Sequence, residues 1–181
     1  MSATNLFNLL HAAADSKPDS PFFYHGGRTI SYARALSATE RLSGAFERRG
    51  LGRGDRVLIQ LGNSPEFIYS FLALVRLGAV AVPVNPAARR YEMLGYIELS
   101  EPRALITTSD RLDDLRDRAL SLLPESAVLQ ADRAEEFVSL SEPRAPYRCT
   151  GGAVNVADDE PAAIIYTSAM DGCPLGALIT H

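Results

Sequence analysis

Apolar positions recur along the chain with two different spacings, which alternate from one segment to the next. A spacing of three to four residues predicts amphipathic helices, whereas short unbroken apolar runs predict strands that are buried on both faces of a parallel sheet. Helices are predicted over 4–14, 32–46, 65–77, 89–100 and 110–123. Strands are predicted over 56–61, 79–84, 104–107, 127–130 and 162–167.

Strands and helices take turns from residue 56 onward, which is the order of βαβ units with right-handed crossovers. This order predicts the α/β class, with a doubly wound, mostly parallel sheet that carries helices on both faces. Two short extended segments, 22–24 and 28–31, flank Gly26 and Gly27. Because glycine adopts positive φ without steric cost, these segments predict a short N-terminal hairpin. We expect a single α/β domain over residues 1–181.

Two helix starts carry capping signals. Ser31 precedes one helix, and Ser64 precedes another that opens with Pro65 and Glu66. A hydroxyl at the cap, a proline at the first position and an acid in the first turn are each favourable there. The second helix has almost no polar face, so we expect its apolar side chains to lie buried under the sheet. They are Phe67, Ile68, Phe71, Leu72 and Val75.

Composition and charge narrow the classes of protein to which the chain can belong. The chain has 181 residues, 46% of them hydrophobic, 22% charged, and a net charge of −4. These values exclude a disordered acidic tail and argue against a nucleic-acid partner, whose footprint is a basic patch. No apolar run approaches the ~18 residues of a membrane span, and no secretory signal pattern is present. We therefore expect a cytoplasmic protein without a membrane span.

Cysteine and histidine spacing gives no sign of a disulfide framework or a metal site. Cys149 and Cys173 form no CxxC pair, and His11, His25 and His181 form no HExxH motif. We therefore expect no metal site, and a structural or surface role for His11, His25 and Cys149. Cys173 lacks a nearby base, so we expect no nucleophile there.

One segment, 166–176, has the composition of a ligand-binding loop. It follows the last predicted strand and begins with hydroxyl and small residues. Ligands in open α/β sheets bind beyond the carboxyl ends of the strands, and such a loop can direct backbone N–H groups at an anion. The spacing of Gly172 and Gly176 is not that of a Walker loop. From the residues alone, a phosphate site and an ordinary surface turn both remain open.

Five further segments are weak signals singly but specific in combination. They are Thr29-Ile-Ser-Tyr-Ala-Arg-Ala-Leu36, Gly54-Asp-Arg-Val-Leu-Ile59, Asn63-Ser-Pro-Glu-Phe67, Val75-Arg-Leu-Gly-Ala-Val-Ala-Val-Pro-Val-Asn-Pro86, and Asp158-Asp-Glu-Pro-Ala-Ala-Ile-Ile-Tyr-Thr-Ser168. In this order they resemble the N-terminal part of the adenylate-forming superfamily, which includes acyl-CoA synthetases, adenylation domains of peptide synthetases, and luciferases. Arg34 stands where the first family box has an acid. The resemblance continues through Gly172, Gly176 and Thr180-His181, so it spans nearly the whole chain.

The resemblance implies substrates, a fold and a set of binding residues. It implies ATP with Mg²⁺, a carboxylic acid substrate, and coenzyme A as co-substrate, on the α/β fold described above. It implies no catalytic side chain and no metal ligand within this chain. The residues that match the family's phosphate loop are Thr167, Ser168, Ala169, Met170, Asp171, Gly172 and Gly176.

The loop departs from the family pattern at four positions. Ala169 replaces a glycine, Met170 a hydroxyl residue, Asp171 a threonine and Leu175 a lysine. A carboxylate ~5 Å from a phosphate costs about 3 kcal/mol per unit charge at an effective dielectric constant of ~20, before Mg²⁺ screens it. The resemblance thus leaves two functions open.

The first function is an enzyme, and the second is a binding module. The chain is either the N-terminal fragment of an AMP-forming acyl-CoA synthetase, inactive by itself, or a non-catalytic interaction or scaffolding module. Family enzymes are much longer, so we expect an apolar face on this chain, with 162–166 as an uncovered strand. An uncovered strand favours pairing with another chain, and a homo-oligomer is therefore expected.

Overall fold

The computed structural model describes residues 5–115, 120–124, 127–133, 137, 153–167 and 175–181. The helices within these residues are α1 (Leu6–Ser16), α2 (Tyr32–Arg48), α3 (Pro65–Arg76), α4 (Arg90–Ser100) and α5 (Ser109–Leu115), with a 3₁₀ turn over Leu120–Leu122. The strands are β1 (Pro21–His25), β2 (Arg28–Ser31), β3 (Arg56–Ile59), β4 (Val80–Pro83), β5 (Ala104–Thr107), β6 (Val128–Gln130), β7 (Pro161–Thr167) and β8 (Leu175–Thr180).

Six of the strands form one sheet in the order β6-β5-β3-β4-β7-β8. All neighbouring pairs are parallel except β7 with β8, which is antiparallel. Val57 of β3 lies opposite Ala81 of β4 on one side and Ala104 of β5 on the other. This arrangement confirms the predicted mostly parallel α/β sheet.

Helices cover both faces of the sheet because alternate side chains of the buried strands point to opposite sides. Val57 and Ile59 face the core formed with α1, α2 and α3, and Leu58 faces the core formed with α4 and α5. The largest fully buried side chains include Phe46 on the first face and Met93 on the second. The prediction of helices on both faces is confirmed.

The predicted hairpin is confirmed as β1 and β2, which pair antiparallel through His25 and Arg28. Gly26 and Gly27, which connect the strands, have φ of 56° and 73°. Both angles lie in the left-handed region that only glycine adopts at no cost, so the turn needs these two residues.

The predicted caps are also confirmed. The Ser31 hydroxyl accepts a hydrogen bond from the Arg34 N–H at 3.3 Å, and the Ser64 hydroxyl accepts one from the Phe67 N–H at 3.3 Å. The first helix, predicted over 4–14, begins at Leu6, where the Asn5 side chain accepts a hydrogen bond from the Phe7 N–H at 2.9 Å.

The expected buried face of α3 is confirmed only in part. Val75 is fully buried, whereas Phe67, Phe71 and Leu72 pack against the core but are only partly buried, as is Ile68. The fully buried side of the helix carries Tyr69, Ser70, Ala73 and Leu74 instead. A helix that is apolar on nearly every side has no sequence signal for its orientation. Its small residues face α2, which buries small residues in turn, so the two helices approach closely.

Two further expectations are corrected. The α-helix predicted over 110–123 is described as α5 followed by the 3₁₀ turn over Leu120–Leu122, with residues 116–119 outside the described part. The strand 162–166 is not uncovered, because β8 pairs with β7 along its length. The sequence pattern gives no signal for β8, because Gly176 belongs to the predicted loop segment 166–176. The edge strand on this side of the sheet is therefore β8, whose six residues are all exposed.

Candidate functional site

The carboxyl ends of β3, β4, β5 and β7 meet at one edge of the sheet, because these four strands run parallel. In open α/β sheets this edge is where ligands bind. Strand β7 ends at this edge with Thr167, and the antiparallel β8 begins there with Leu175. The described ends of the predicted phosphate-loop segment, 166–176, therefore lie at this edge.

The two ends of the phosphate-loop segment are held across an antiparallel pair of strands. Tyr166 lies opposite Gly176, and Thr167 lies opposite Leu175. The Thr167 hydroxyl donates a hydrogen bond to the Leu175 carbonyl at 3.3 Å. A segment of seven residues, 168–174, thus joins two strands whose facing ends are fixed.

Of the seven predicted binding residues, the structure describes Thr167 and Gly176. It brings them to the mouth of the same hairpin, one residue out of direct register. The Thr167 side chain is exposed, as is Gly176. The other five lie outside the described residues: Ser168, Ala169, Met170, Asp171 and Gly172.

Position 176 requires a glycine because the side chains of Ile164 and Tyr166 lie very close to its backbone. A Cβ atom at this position would lie 3.0 Å from Ile164 Cγ2 and 3.2 Å from the Tyr166 ring. Contacts this short force a neighbour to move. Glycine therefore lets the Ile164 and Tyr166 side chains close over β8 immediately beside the loop.

The end of β7 contacts α4 through two tyrosines, Tyr166 and Tyr96. The rings of Tyr96 and Tyr166 lie 5.1 Å apart, centroid to centroid, at an interplanar angle of 42°. Burial raises the pKa of both phenols and is the largest influence on each. At Tyr166, a hydrogen bond with Ser100 lowers the pKa and so partly offsets this effect. Both hydroxyls therefore stay neutral at physiological pH, and the contact fixes the position of Tyr166 relative to α4.

The buried side-chain amide of Gln60 connects the segments that follow β3 and β4 with the end of β5, and the sequence analysis did not predict it. Gln60 follows β3 and is 1% exposed. Its side-chain nitrogen donates to the Ala88 carbonyl at 2.9 Å, and its oxygen accepts from the Thr107 hydroxyl at 3.0 Å. One polar residue between Ile59 and Leu61, in an otherwise apolar run, was the available signal. This network holds the segment before α4 against β3 and β5.

An open cleft of about 590 Å³ lies between the starts of α4 and α5. Its lining residues are Arg89, Arg90, Tyr91, Leu94, Arg111 and Asp114. Arg111 lies 3.8 Å from the Asp114 carboxylate and 3.7 Å from that of Asp110, so part of its charge is already balanced. The sequence reasoning missed the cleft because its lining residues come from separate helices.

Leu175 stands at the position where the resembled family has a lysine, and its side chain is 69% exposed. A longer, charged side chain fits there without displacing core residues. Among the described residues, no group of three or more His, Cys, Asp or Glu side chains is arranged to hold a metal ion. No helix in the described part of the chain is long and apolar enough to cross a membrane.

Comparison with known proteins gives a consistent result. The family model described as "AMP-binding enzyme" matches residues 10–181. The rice (Oryza sativa subsp. japonica) 4-coumarate–CoA ligase 3 is 32% identical over 157 residues, which cover 86% of this chain and 28% of that protein. The crotonobetaine/carnitine–CoA ligase of Citrobacter koseri is 28% identical over 163 residues, which cover 85% of this chain and 31% of that protein.

Solved structures share the fold. VinN superposes with a TM-score of 0.84 at 26% identity, covering 100% of this chain and 44% of VinN. The N-terminal subdomain of Klebsiella oxytoca NpsA superposes with a TM-score of 0.80 at 24% identity, covering 99% of this chain and 43% of that one. The chain thus spans about a third of the length of the curated relatives it matches and less than half of these structures.

Proposed function

Because the chain belongs to the family of AMP-binding enzymes, we propose that it supplies the phosphate-loop part of an AMP-forming carboxylic acid–CoA ligase. The proposed reaction converts a carboxylic acid and ATP into an acyl-adenylate and pyrophosphate, and then transfers the acyl group to coenzyme A. The observation that supports the proposal is that β7 ends at Thr167 and β8 begins at Leu175 at the carboxyl edge of the parallel strands, so that the proposed phosphate loop joins two strand ends at this edge.

The choice of coenzyme A as acceptor is supported by the named relatives. Both are named as CoA ligases, one for 4-coumarate and the other for crotonobetaine and carnitine, which are very different acids. That difference supports a carboxylic acid as the substrate class and leaves its identity open. The chemistry requires stabilisation of charge on the phosphates rather than a nucleophilic side chain. This requirement agrees with an expected site of hydroxyls and backbone N–H groups.

Two described residues, Thr167 and Gly176, lie exposed at the two ends of the loop. The Thr167 hydroxyl donates its hydrogen bond to the Leu175 carbonyl, and the Ile164 and Tyr166 side chains close over Gly176. The donors for a polyphosphate are therefore expected from the residues between these two ends. Backbone N–H groups in such loops form concave anion sites. Mg²⁺ would neutralise phosphate charge when bound, and no group of described residues would ligate it directly. The protein's own contribution would therefore be to position the phosphates at the mouth of the β7–β8 hairpin.

The test of the proposal is formation of an acyl-CoA thioester. The protein encoded by the whole reading frame that contains this chain is incubated with MgATP, coenzyme A and a panel of fatty and aromatic acids, and products are identified by mass spectrometry. We expect a thioester with at least one acid, together with AMP. Hydrolysis of ATP without any dependence on acid would contradict the proposal.

The second candidate function, a non-catalytic interaction module, is favoured by the four departures in the loop. Asp171 would repel a polyphosphate, and Leu175 lacks the cation that the resembled loop has. If the loop still holds ATP, Asp171→Thr together with Leu175→Lys should tighten MgATP binding by about 1–4 kcal/mol, because a repulsion is removed and a charge-assisted partner is added. Calorimetric titration measures the change.

A matched control keeps the added charge but moves it along the strand. Leu178→Lys places a cation on β8 three residues from Leu175, at a side chain that is 57% exposed. Asp171→Thr with Leu178→Lys should therefore gain less than the first pair. Equal gains would show a non-specific charge effect, and no MgATP binding by any of the proteins would favour the interaction module.

A further inference from the structure

His181 joins the end of β8 to the start of α1. Its ring Nδ1 accepts a hydrogen bond from the Leu6 N–H at 3.4 Å, and its backbone N–H donates to the Glu160 carbonyl at 3.2 Å. Beside it, the Asn5 side-chain nitrogen donates to the carbonyls of Val75 at 3.0 Å and Val154 at 3.2 Å. The first turn of α1 is thus attached to the rest of the domain by polar contacts as well as by its apolar face.

The contact with Leu6 fixes the protonation state of the ring. A backbone N–H can only donate, so Nδ1 must carry a lone pair, and the proton of the neutral ring must lie on Nε2. Nε2 is buried and has no hydrogen-bond partner among the described residues. A second proton would be placed on Nδ1, directly against the Leu6 N–H. Protonation therefore replaces a hydrogen bond with a donor–donor repulsion.

We propose that His181 is a pH-sensitive latch: the neutral imidazole holds α1 in its place against α2 and α3, and protonation of the ring releases the helix. Release would expose the apolar residues with which α1 covers the core, Phe7, Leu10 and Ala14. The inference does not depend on the proposed ligase activity, because it rests on contacts at the opposite end of β8 from the phosphate loop.

The charged groups around the ring set the direction of the response. Glu160 faces His181 and favours protonation, but Glu160 is also paired with Arg53 at 2.5 Å. On α1 itself, His11 and Asp15 pair with each other at 3.1 Å on the exposed side of the helix. Burial is the larger influence on His181, and it lowers the pKa of this imidazole below 6.5.

The sign of the pH effect follows from this lowered pKa. The released state exposes the ring, restores its ordinary pKa of about 6.5, and so binds more protons than the latched state between the two pKa values. The latch is complete above pH 6.5 and is lost as the pH falls below that value. The ratio of released to latched protein can rise by up to ~10-fold per pH unit within this window.

Hydrogen–deuterium exchange between pH 7.5 and 5.0 tests the latch on the protein encoded by the whole reading frame that contains this chain, after correction for the intrinsic pH dependence of exchange. We expect the protection of α1 to fall relative to that of α2, by up to ~10-fold per pH unit below pH 6.5. Parallel loss of protection in α1 and α2 would mean global unfolding and would overturn the proposal.

Two variants separate His181 from the other histidine on this side of the molecule. His181→Asn keeps an acceptor oxygen near the position of Nδ1 but cannot titrate, so α1 should stay protected across the range. His11→Asn removes the imidazole that pairs with Asp15 on α1 and should retain the wild-type response. A response that survives in His181→Asn, or that disappears in His11→Asn, contradicts the latch.

A spectroscopic measurement on the unmodified chain covers the case in which His181→Asn fails to fold. Carbon and nitrogen NMR shifts of the imidazole report both its tautomer and its pKa. The latch requires the Nε2–H tautomer at pH 7.5 and a pKa below 6.5. An Nδ1–H tautomer, or a pKa at or above 6.5, would overturn it.

Discussion

At the scale of single residues, Gly176 lies where no larger residue fits without displacing its neighbours. Gly176→Ala would place a methyl group 3.0 Å from Ile164 Cγ2 and 3.2 Å from the Tyr166 ring. Because overpacking forces side chains and backbone to shift, we expect a loss of about 1–3 kcal/mol in the free energy of unfolding. Urea denaturation followed by circular dichroism measures it.

Gly95 supplies the control for that substitution. It lies inside α4, and no atom lies within 4 Å of the position its Cβ would take. Gly95→Ala should therefore stabilise the protein by roughly 1 kcal/mol, since alanine is the better helix former. Equal destabilisation by both substitutions would mean that Gly176 is not under steric constraint.

Two phenylalanines test the corrected packing of the core. Phe46 is fully buried on α2, whereas Phe71 on α3 is half-buried. Phe46→Ala should cost ~3–5 kcal/mol through loss of transfer energy and formation of a cavity, and Phe71→Ala only about 1–2 kcal/mol. Thermal and urea unfolding of the two variants provide the comparison. A larger cost at Phe71 would restore the orientation of α3 that the sequence suggested.

At the scale of elements, helix starts could be predicted from their capping residues. The strand β8 could not, because it depends on pairing with β7. Ser31 and Ser64 satisfy backbone donors within three residues of themselves, so local sequence contains the whole signal. The strand β8 forms by pairing with β7, and the paired residues Thr167 and Leu175 are separated by seven residues. No local sequence pattern indicates this pairing. The Gln60 network likewise depends on Thr107 and Ala88, which are distant in sequence.

The cap at Ser64 gives a quantitative test at this scale. Its hydroxyl accepts the Phe67 N–H at 3.3 Å at the start of α3. Ser64→Ala removes this acceptor and should destabilise the protein by ~0.5–2 kcal/mol, whereas Ser64→Asp keeps an acceptor and should cost much less. Denaturant unfolding of both variants distinguishes capping from a general effect of substitution at this position.

At the scale of the whole molecule, the fold class was predictable because the order of elements and the periodicity agree over most of the chain. The candidate binding site stays a prediction: the departures at Ala169, Met170 and Asp171 weaken the sequence pattern of the loop, and these residues lie outside the described part of the chain. The sequence predicted an exposed edge strand but assigned it to the wrong segment. The edge strand next to the loop is β8 rather than β7.

The exposed edge strand β8 leads us to predict that copies of the chain associate with one another. Leu175, Leu178 and Ile179 on β8 are 69%, 57% and 47% exposed, respectively. An apolar edge strand with unpaired backbone groups favours pairing with another chain. We expect light scattering to show a dimer or larger species, and Leu178→Lys with Ile179→Lys to shift it toward monomer. A wild-type chain that is monomeric at high concentration would contradict this expectation.

The central claim is that the loop at the end of β7 belongs to a machinery that activates carboxylic acids with ATP. Acid-dependent exchange of labelled pyrophosphate into ATP, measured on the protein encoded by the whole reading frame, tests it most directly because it isolates the adenylation step from transfer to coenzyme A. We predict exchange with at least one fatty or aromatic acid, and none when acid or Mg²⁺ is omitted. No exchange with any acid of the panel, by a protein that is folded, would contradict the claim.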